Sequence, residues 1–197
     1  LISGVKMRSL SNHLSAVTVE EIKKNIVEEL WMLCNKPGET FPKTWPVEYD
    51  QFRKWALGRA WRKNSMGTDE IKFNLRCMVK VPFHGVNQDL PAEQTLDEQV
   101  AGIICTDLVT GENQEYYPGS EIGDINISYM TFDGHRSRGV ATIAVKAMVD
   151  FLQCKDRFPV LRIAEGNEAS LSVAKRNGFV VINKVEIVDA LDNSRQS

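Results

Sequence analysis

The chain is organised around residues 132–142, which read Phe-Asp-Gly-His-Arg-Ser-Arg-Gly-Val-Ala-Thr. A strand-like run over residues 124–131 precedes this loop, and apolar residues at helical spacing follow it from Val140. The first N–H groups of a helix lack partners and lie at the positive end of its dipole, so they attract anions. Gly139 lets the backbone approach an anion closely, and Arg136 and Arg138 add positive charge. The stretch therefore predicts a phosphate-binding loop.

A second patterned stretch reads Asn-Glu-Ala-Ser at residues 167–170 and continues as a helix-like run that ends in Gly178-Phe179. Together with Arg-x-x-Gly-x-Ala at residues 136–141, it resembles the two hallmark motifs of the GNAT superfamily of acyl-CoA N-acyltransferases. The likeness is closest to the Rim-type branch, which acetylates ribosomal-protein N-termini, and to its antibiotic-modifying relatives. It covers residues 98–188 well and the N-terminal third only loosely.

The order of predicted elements indicates an α/β class, and the resemblance implies the GNAT fold, a mixed central β-sheet with flanking helices. Two parallel strands, residues 126–131 and 160–164, are then expected to splay apart around the pantetheine of the cofactor. Residues 1–197 are expected to form a single GNAT acetyltransferase domain, whole or excised from a longer chain. Strands are predicted at 5–10, 71–81, 99–107, 121–132, 159–165 and 179–188, and helices at 47–64, 138–152 and 167–177. A further helix is predicted to start at Thr18, with Glu21 completing a capping box.

The composition limits the classes of function. With 197 residues, 43% of them hydrophobic, the chain is large enough for one domain with its own core. A net charge of −2 implies no general role in binding nucleic-acid duplexes. Its four cysteines have neither metal nor disulfide spacing and predict reduced thiols in a cytoplasmic protein. No apolar run approaches the ~20 residues of a membrane span, so no membrane partner is expected. No metal is expected either, because the cysteines lack metal spacing, and the oligomeric state stays open.

The resemblance implies acetyl-CoA as the cofactor, with coenzyme A as product, and assigns residues to it. The loop would hold the pyrophosphate, while the end of the preceding strand would offer backbone groups to the pantetheine and to the acyl carbonyl, as an oxyanion hole does. Asn167 would cap its helix and contact the pantetheine. We interpret His135 as a solvated loop residue. The cofactor-binding residues predicted in this way are Tyr129, Met130, Thr131, Arg136, Arg138, Gly139, Val140, Ala141, Thr142, Asn167 and Ser170.

Catalysis would need an acid for the leaving thiolate and a base for the attacking ammonium. Ser170, in the first helical turn, matches the residue taken as the acid in the Rim-type branch. A carboxylate with a raised pKa can be the base. By counting from Gly178-Phe179, the family position falls on Asp189, with Glu186 as the alternative if the register slips. A residue elsewhere, such as Glu121 or Asp124, or a water chain also remains open.

The acceptor is expected against the N-terminal third, which holds all four tryptophans of the chain. Trp55 lies on an apolar helix face and is predicted to be core, whereas Trp45, between two prolines, and Trp61 are predicted to bind substrate. The sequence thus predicts an acetyl-CoA-dependent N-acetyltransferase that acts by direct attack of a primary amine. The first candidate acceptor is a protein or peptide α-amine. The alternatives are a small amine-bearing antibiotic or metabolite, such as an aminoacyl-nucleotide in self-immunity or antibiotic resistance, and a non-catalytic CoA-binding regulatory domain.

Overall fold

The computed structural model describes residues 6–8, 17–39, 45–46, 48–58, 73–82, 98–117 and 119–182. Its centre is a six-stranded sheet whose strands lie side by side in sequence order. Strands β1 to β5 pair antiparallel, and β6 pairs in parallel with β5, so the sheet is mixed as predicted. The strands are β1 Lys6–Arg8, β2 Thr18–Glu21, β3 Arg76–Pro82, β4 Glu98–Leu108, β5 Ile125–Thr131 and β6 Pro159–Leu161.

Helices cover both faces of this sheet. In the described part of the chain they are α1 Val27–Cys34, α2 Tyr49–Ala56, α3 Val140–Gln153 and α4 Glu168–Arg176. Leu30 and Phe52, from α1 and α2, pack with Ile103 on what we call the α1–α2 face. Met148, from α3, packs with Ile104 on the opposite side, the α3–α4 face, where Val173 of α4 joins the same cluster. Among the described residues, no helix is both long and apolar enough to cross a bilayer.

The predicted helix start at Thr18 is wrong. Thr18 lies in strand β2, and α1 begins only at Val27, after a short 3₁₀ turn at Lys24–Ile26. Val17 and Val19 alternate into the core with 2% and 0% of their surface exposed, and β2 pairs with strands on both sides. Tertiary pairing therefore overrides a capping signature that was itself local and weak.

Several predicted boundaries shift while the elements stay. The helix predicted over 47–64 is described as Tyr49–Ala56, and its last predicted residues lie outside the described part. The third strand starts at Arg76, five residues later than predicted from Ile71. Residues 179–182 form no strand, and the rest of the predicted strand to 188 lies outside the described residues.

The two parallel strands part, as the family resemblance implied. Pairing between β5 and β6 ends at Ile127 opposite Leu161, and β6 stops there, four residues before its predicted end at Glu165. Strand β5 continues to Thr131, still paired on its other side with β4. Within the described residues, the last four residues of β5 therefore have backbone groups facing the β6 side without a strand to pair with.

Candidate active site

The loop after β5 has the geometry of an anion cradle. Gly139 is the residue before α3 and has φ +77°, a left-handed conformation that favours glycine, and no side chain caps the helix. The first helical bond runs from Ile143 N to Gly139 O at 3.1 Å, so the N–H groups of Val140, Ala141 and Thr142 precede it. These N–H groups are available to the anion that the sequence predicted.

The two loop arginines have different surroundings. Arg136 donates from Nε to Thr131 O at 3.1 Å and from Nη2 to Glu39 Oε2 at 2.6 Å. Arg138 is exposed, and the described residues give it no hydrogen bond or ion pair. Of the two predicted pyrophosphate ligands, Arg138 thus has an uncommitted side chain, and Arg136 is already held by the protein.

His135 is half-buried in the same loop, and its pKa lies below the ordinary 6.5. Burial is the main cause, the positive charge of Arg138 adds to it, and the negative charge of Glu39 opposes it. The imidazole is therefore held neutral at pH 7, which agrees with a loop residue that carries no charge of its own to the anion site.

At the end of β5, the side chains of successive residues point to opposite faces of the sheet. Met130 is 7% exposed and packs in the α1–α2 cluster, whereas Tyr129 packs against the α3–α4 cluster. The Tyr129 hydroxyl is buried and makes no hydrogen bond of acceptable geometry among the described residues. Burial raises the pKa of Tyr129, and the nearby Ser170 hydroxyl partly offsets this rise. The Tyr129 and Ser170 hydroxyls therefore lie close together beside the parted strands, where both can offer hydrogen bonds to a bound cofactor.

Ser170 lies in the first turn of α4, as predicted. Its N–H donates to Asn167 Oδ1 at 3.1 Å, which confirms Asn167 as the helix cap. At the other end, Gly178 has φ +78° and Phe179 N donates to Ala174 O at 3.1 Å, which is the cap that a glycine just past a helix favours.

Three residues that shape the site were missed by the sequence reasoning. Asn177 donates from Nδ2 to Thr142 O at 3.2 Å and so ties the end of α4 to the first turn of α3. Gly102 leaves room for a backbone, since a Cβ there would lie 2.3 Å from Met130 O. The third is Glu39, the partner of Arg136. None of these contacts has a local signal, because the partners are far apart in the sequence.

The candidates for the base divide into two groups. Asp189 and Glu186 lie outside the described residues, and so does Trp61. Glu121 and Asp124 form a turn in which Glu121 N donates to Asp124 Oδ2 at 2.8 Å, just before β5 begins. At about 3.3 Å per residue, that turn is roughly 20 Å from the other end of the strand, so neither carboxylate is near the parted strands.

Trp45 is more buried than Trp55, the opposite of the prediction. Trp45 is 5% exposed and donates from Nε1 to Ser128 Oγ at 3.4 Å, while Trp55 is only partly buried. The two rings are stacked at a tilt, with centroids 4.7 Å apart. Trp45 is thus a core residue that also touches β5, and its contact with an acceptor stays a prediction.

These residues fit the cofactor that the sequence motifs imply. They offer a path with hydrogen-bonding groups along the parted strands, including the neighbouring Tyr129 and Ser170 hydroxyls. At one end of this path lies an anion site made by the uncapped start of α3 and the charge of Arg138.

The family model for an acetyltransferase (GNAT) domain matches residues 18–180. The chain belongs to the GNAT acetyltransferase family. It is accordingly an N-acetyltransferase that uses acetyl-CoA. No curated protein sequence matches it significantly.

Solved structures share the fold at low sequence identity. The ribosomal-protein α-N-acetyltransferase RimL, in complex with coenzyme A, is 15% identical, with a TM-score of 0.60 over 89% of this chain and 85% of that one. The microcin C7 self-immunity acetyltransferase MccE, with acetyl-CoA and AMP, is 15% identical, with a TM-score of 0.59 over 90% and 87%. An aminoglycoside acetyltransferase with coenzyme A is 11% identical, with a TM-score of 0.60 over 86% and 87%. At these identities the likeness shows the fold and not the acceptor.

Proposed function

We propose that this N-acetyltransferase transfers the acetyl group to the α-amine of a protein or peptide. The observation that carries the proposal is the end of β5, where Ser128 to Thr131 extend past the end of β6 beside the first turn of α4. An extended backbone whose groups are exposed along one side can align a second extended chain, such as a pantetheine or a peptide N-terminus.

Each residue of this site has a proposed task. Acetyl-CoA supplies the activated acyl group as a thioester. Successive N–H groups of a strand point to opposite edges, and Phe132 N donates to Ala101 O beside β4, so the N–H of Met130 also faces β4. The N–H groups of Tyr129 and Thr131 face the other side and are the donors proposed for the acyl oxygen, where preorganised donors stabilise developing charge. The Ser170 hydroxyl would give its proton to the leaving sulfur. Arg138 and the start of α3 would hold the pyrophosphate.

The base would take a proton from the attacking ammonium. Asp189 and Glu186 are the proposed candidates, acting directly or through a water molecule. No cysteine nucleophile is required, because a free amine can attack the thioester directly.

The second candidate acceptor is a small amine-bearing antibiotic or metabolite. The antibiotic-related activities named for two structural relatives favour it. A tryptophan-lined pocket would suit a flat aromatic acceptor of this kind, and the burial of Trp45 weakens that support. A peptide acceptor therefore remains the first choice, and its place of action would be the cytoplasm, since all four cysteines are free thiols.

Thiol release from acetyl-CoA tests the proposal directly. The acceptors are peptides with a free N-terminus, the same peptides with an acetylated N-terminus and an internal lysine, an aminoglycoside and an aminoacyl-nucleotide analogue. Release with free N-termini alone is the expected result. Release with only the aminoglycoside or the nucleotide analogue would move the function to small acceptors. Coenzyme A binding without release for any amine would contradict turnover and leave a regulatory domain.

A further inference from the structure

The carboxylate of Glu39 is buried although the residue lies in a turn after α1. Its side chain is only 2% exposed, and it lies beyond the end of the helix at Cys34. Two neighbours respond to its charge: burial and, second, Glu39 raise the pKa of Cys34 from 9.0 to about 12, and Glu39 opposes the lowering of the His135 pKa. The covered carboxylate therefore lies beside the loop that follows β5.

Glu39 binds that loop at two points. Its Oε1 accepts the backbone N–H of Asp133, and its Oε2 accepts Arg136 Nη2 at 2.6 Å. Arg136 also donates from Nε to Thr131 O at 3.1 Å and from Nη2 to Gly38 O at 3.4 Å. These contacts form a closed set that joins the turn after α1 to both ends of the stretch from Thr131 to Arg136.

We propose that Glu39 is a positioning residue for the cofactor, acting through Arg136 to fix the pyrophosphate loop. In this arrangement Arg136 does not itself bind phosphate. Its Nε and Nη2 donors already have protein acceptors, and its charge is neutralised by a buried carboxylate. Arg138, which has no partner among the described residues, is then the arginine that meets the pyrophosphate.

A direct role of Arg136 in binding phosphate would change coenzyme A affinity in the opposite direction. If Arg136 were a phosphate ligand and Glu39 merely neutralised it, removing the carboxylate would free positive charge and tighten coenzyme A binding. If Glu39 positions the loop, the same change weakens binding, because the N–H groups at the start of α3 lose their alignment. The direction of the change therefore decides between the two roles.

The experiment measures coenzyme A binding by calorimetry for Glu39→Gln, Arg136→Gln and the double variant. Glu39→Gln keeps the shape of the side chain and an oxygen for the Asp133 N–H, and removes the charge. We expect each single change to weaken coenzyme A by about tenfold, the scale of one charge-assisted hydrogen bond. The double variant should lose no more than either single variant, because both changes break the same contact. Pantetheine, which lacks the pyrophosphate, should bind all variants as it binds the parent.

Two controls make the result specific. Glu28→Gln removes an exposed carboxylate from α1 and so matches the change in net charge, and it should leave coenzyme A affinity unchanged. Arg138→Gln should weaken coenzyme A in a way that fades with added salt, as expected for direct contact with phosphate. If Glu39→Gln does not fold, Glu39→Asp keeps the charge but shortens the reach, and the same comparison of coenzyme A with pantetheine applies.

Tighter coenzyme A binding by Glu39→Gln, additive losses in the double variant, or an equal loss for pantetheine would each overturn the proposal. The readout is cofactor binding, so these outcomes leave the proposed acceptor untouched. A parent protein that bound no coenzyme A would instead remove the proposed function itself.

Discussion

The two faces of the sheet are buried with different chemistry. On the α3–α4 face the cluster is largely aliphatic, with Ile104, Val145 and Met148 fully buried. On the α1–α2 face, aromatic rings and charge are buried together: Arg76 is 7% exposed, pairs with Asp107, and lies 5.1 Å from the centre of the Trp55 ring. Burial lowers the pKa of Arg76, but the Asp107 carboxylate, with smaller contributions from Cys105 and Tyr117, raises it above its ordinary value.

The two faces should therefore differ in what a substitution changes, stability on one and cofactor binding on the other. The cofactor groups of the α3–α4 side come from neighbouring residues along the chain, in a loop and two helix starts. The α1–α2 side is held by contacts between distant residues, such as Trp45 with Ser128, 83 positions apart. Substitutions on the α1–α2 face should therefore act mainly on the free energy of unfolding, and those at the loop and helix starts mainly on the cofactor and turnover.

Arg76→Met should have the largest effect on stability. Removing one partner of a buried ion pair leaves Asp107 uncompensated, which typically costs about 3–5 kcal/mol. Denaturant unfolding measures the loss. The double variant Arg76→Met/Asp107→Leu removes both charges and should recover most of it. A double variant no more stable than the single one would show that the pair itself, and not the stranded charge, determines the cost.

Trp45→Ala should come next, because a buried ring is removed from the same face. Large-to-small changes of this kind cost about 3–5 kcal/mol when the site does not collapse. The melting temperature of Trp45→Ala should fall, and that of Trp45→Phe should fall less, because Phe keeps one aromatic ring at the site. Acceptor kinetics on Trp45→Phe test the binding role that the sequence predicted. An unchanged KM for the acceptor would leave Trp45 as core alone.

The parts of the site that the sequence predicted correctly are those whose signal is local. Asn167 as a cap and Ser170 in the first turn of α4 each follow from a few adjacent residues. The same local reasoning failed at Thr18, because the capping pattern there competes with strand pairing to distant residues. The parting of β5 and β6 was predicted only through the family resemblance.

The remaining parts could not be predicted from local patterns. Glu39 and Arg136 are 97 positions apart, and nothing in either segment indicates the other. The buried Trp45 contacts Ser128, in the middle of β5 and 83 positions away, and no local pattern indicates that contact. Such pairings are set by the topology of the sheet, and a single sequence without its alignment carries no record of them.

Ser170→Ala tests the cofactor side through turnover. If the hydroxyl protonates the leaving sulfur, kcat should fall by about 10²–10⁴, the usual contribution of acid–base assistance. Coenzyme A affinity and the melting temperature should stay close to the parent, since the Asn167 cap uses the backbone N–H of Ser170 and not its hydroxyl. A kcat within about twofold of the parent would reduce Ser170 to a structural role.

Gly139→Val should weaken coenzyme A by roughly 10- to 100-fold, because Val is strained by about 1–3 kcal/mol at a positive φ and its side chain fills the space that the pyrophosphate needs at the start of α3. Gly134→Val is the matched control. Gly134 lies in the same loop with φ +79°, and the space that a Cβ would enter there is open, so the strain is alike while the start of α3 is untouched. Calorimetry on both variants separates loop strain from the loss of the anion cradle. Equal losses in the two variants would show that the cradle contributes nothing beyond the strain.

The smallest expected effect is on the titration of His135, and it connects the loop to the α1–α2 side. Burial and Arg138 lower the pKa of His135, and Glu39 opposes them. The folded protein therefore binds a proton here less readily than the unfolded chain, so this histidine contributes stability above the unfolded pKa that is lost as the pH falls.

Removing a positive neighbour favours the imidazolium, so Arg138→Gln should raise the pKa of His135, and Glu39→Gln should lower it. Proton NMR of the imidazole measures both shifts, with His135→Asn identifying the signal. Bound coenzyme A brings negative charge to the same loop and should raise the pKa, as Arg138→Gln does. Shifts of the same sign in the two variants would contradict the assignment of opposite charges on either side of His135, and with it the link between Glu39 and the cofactor loop.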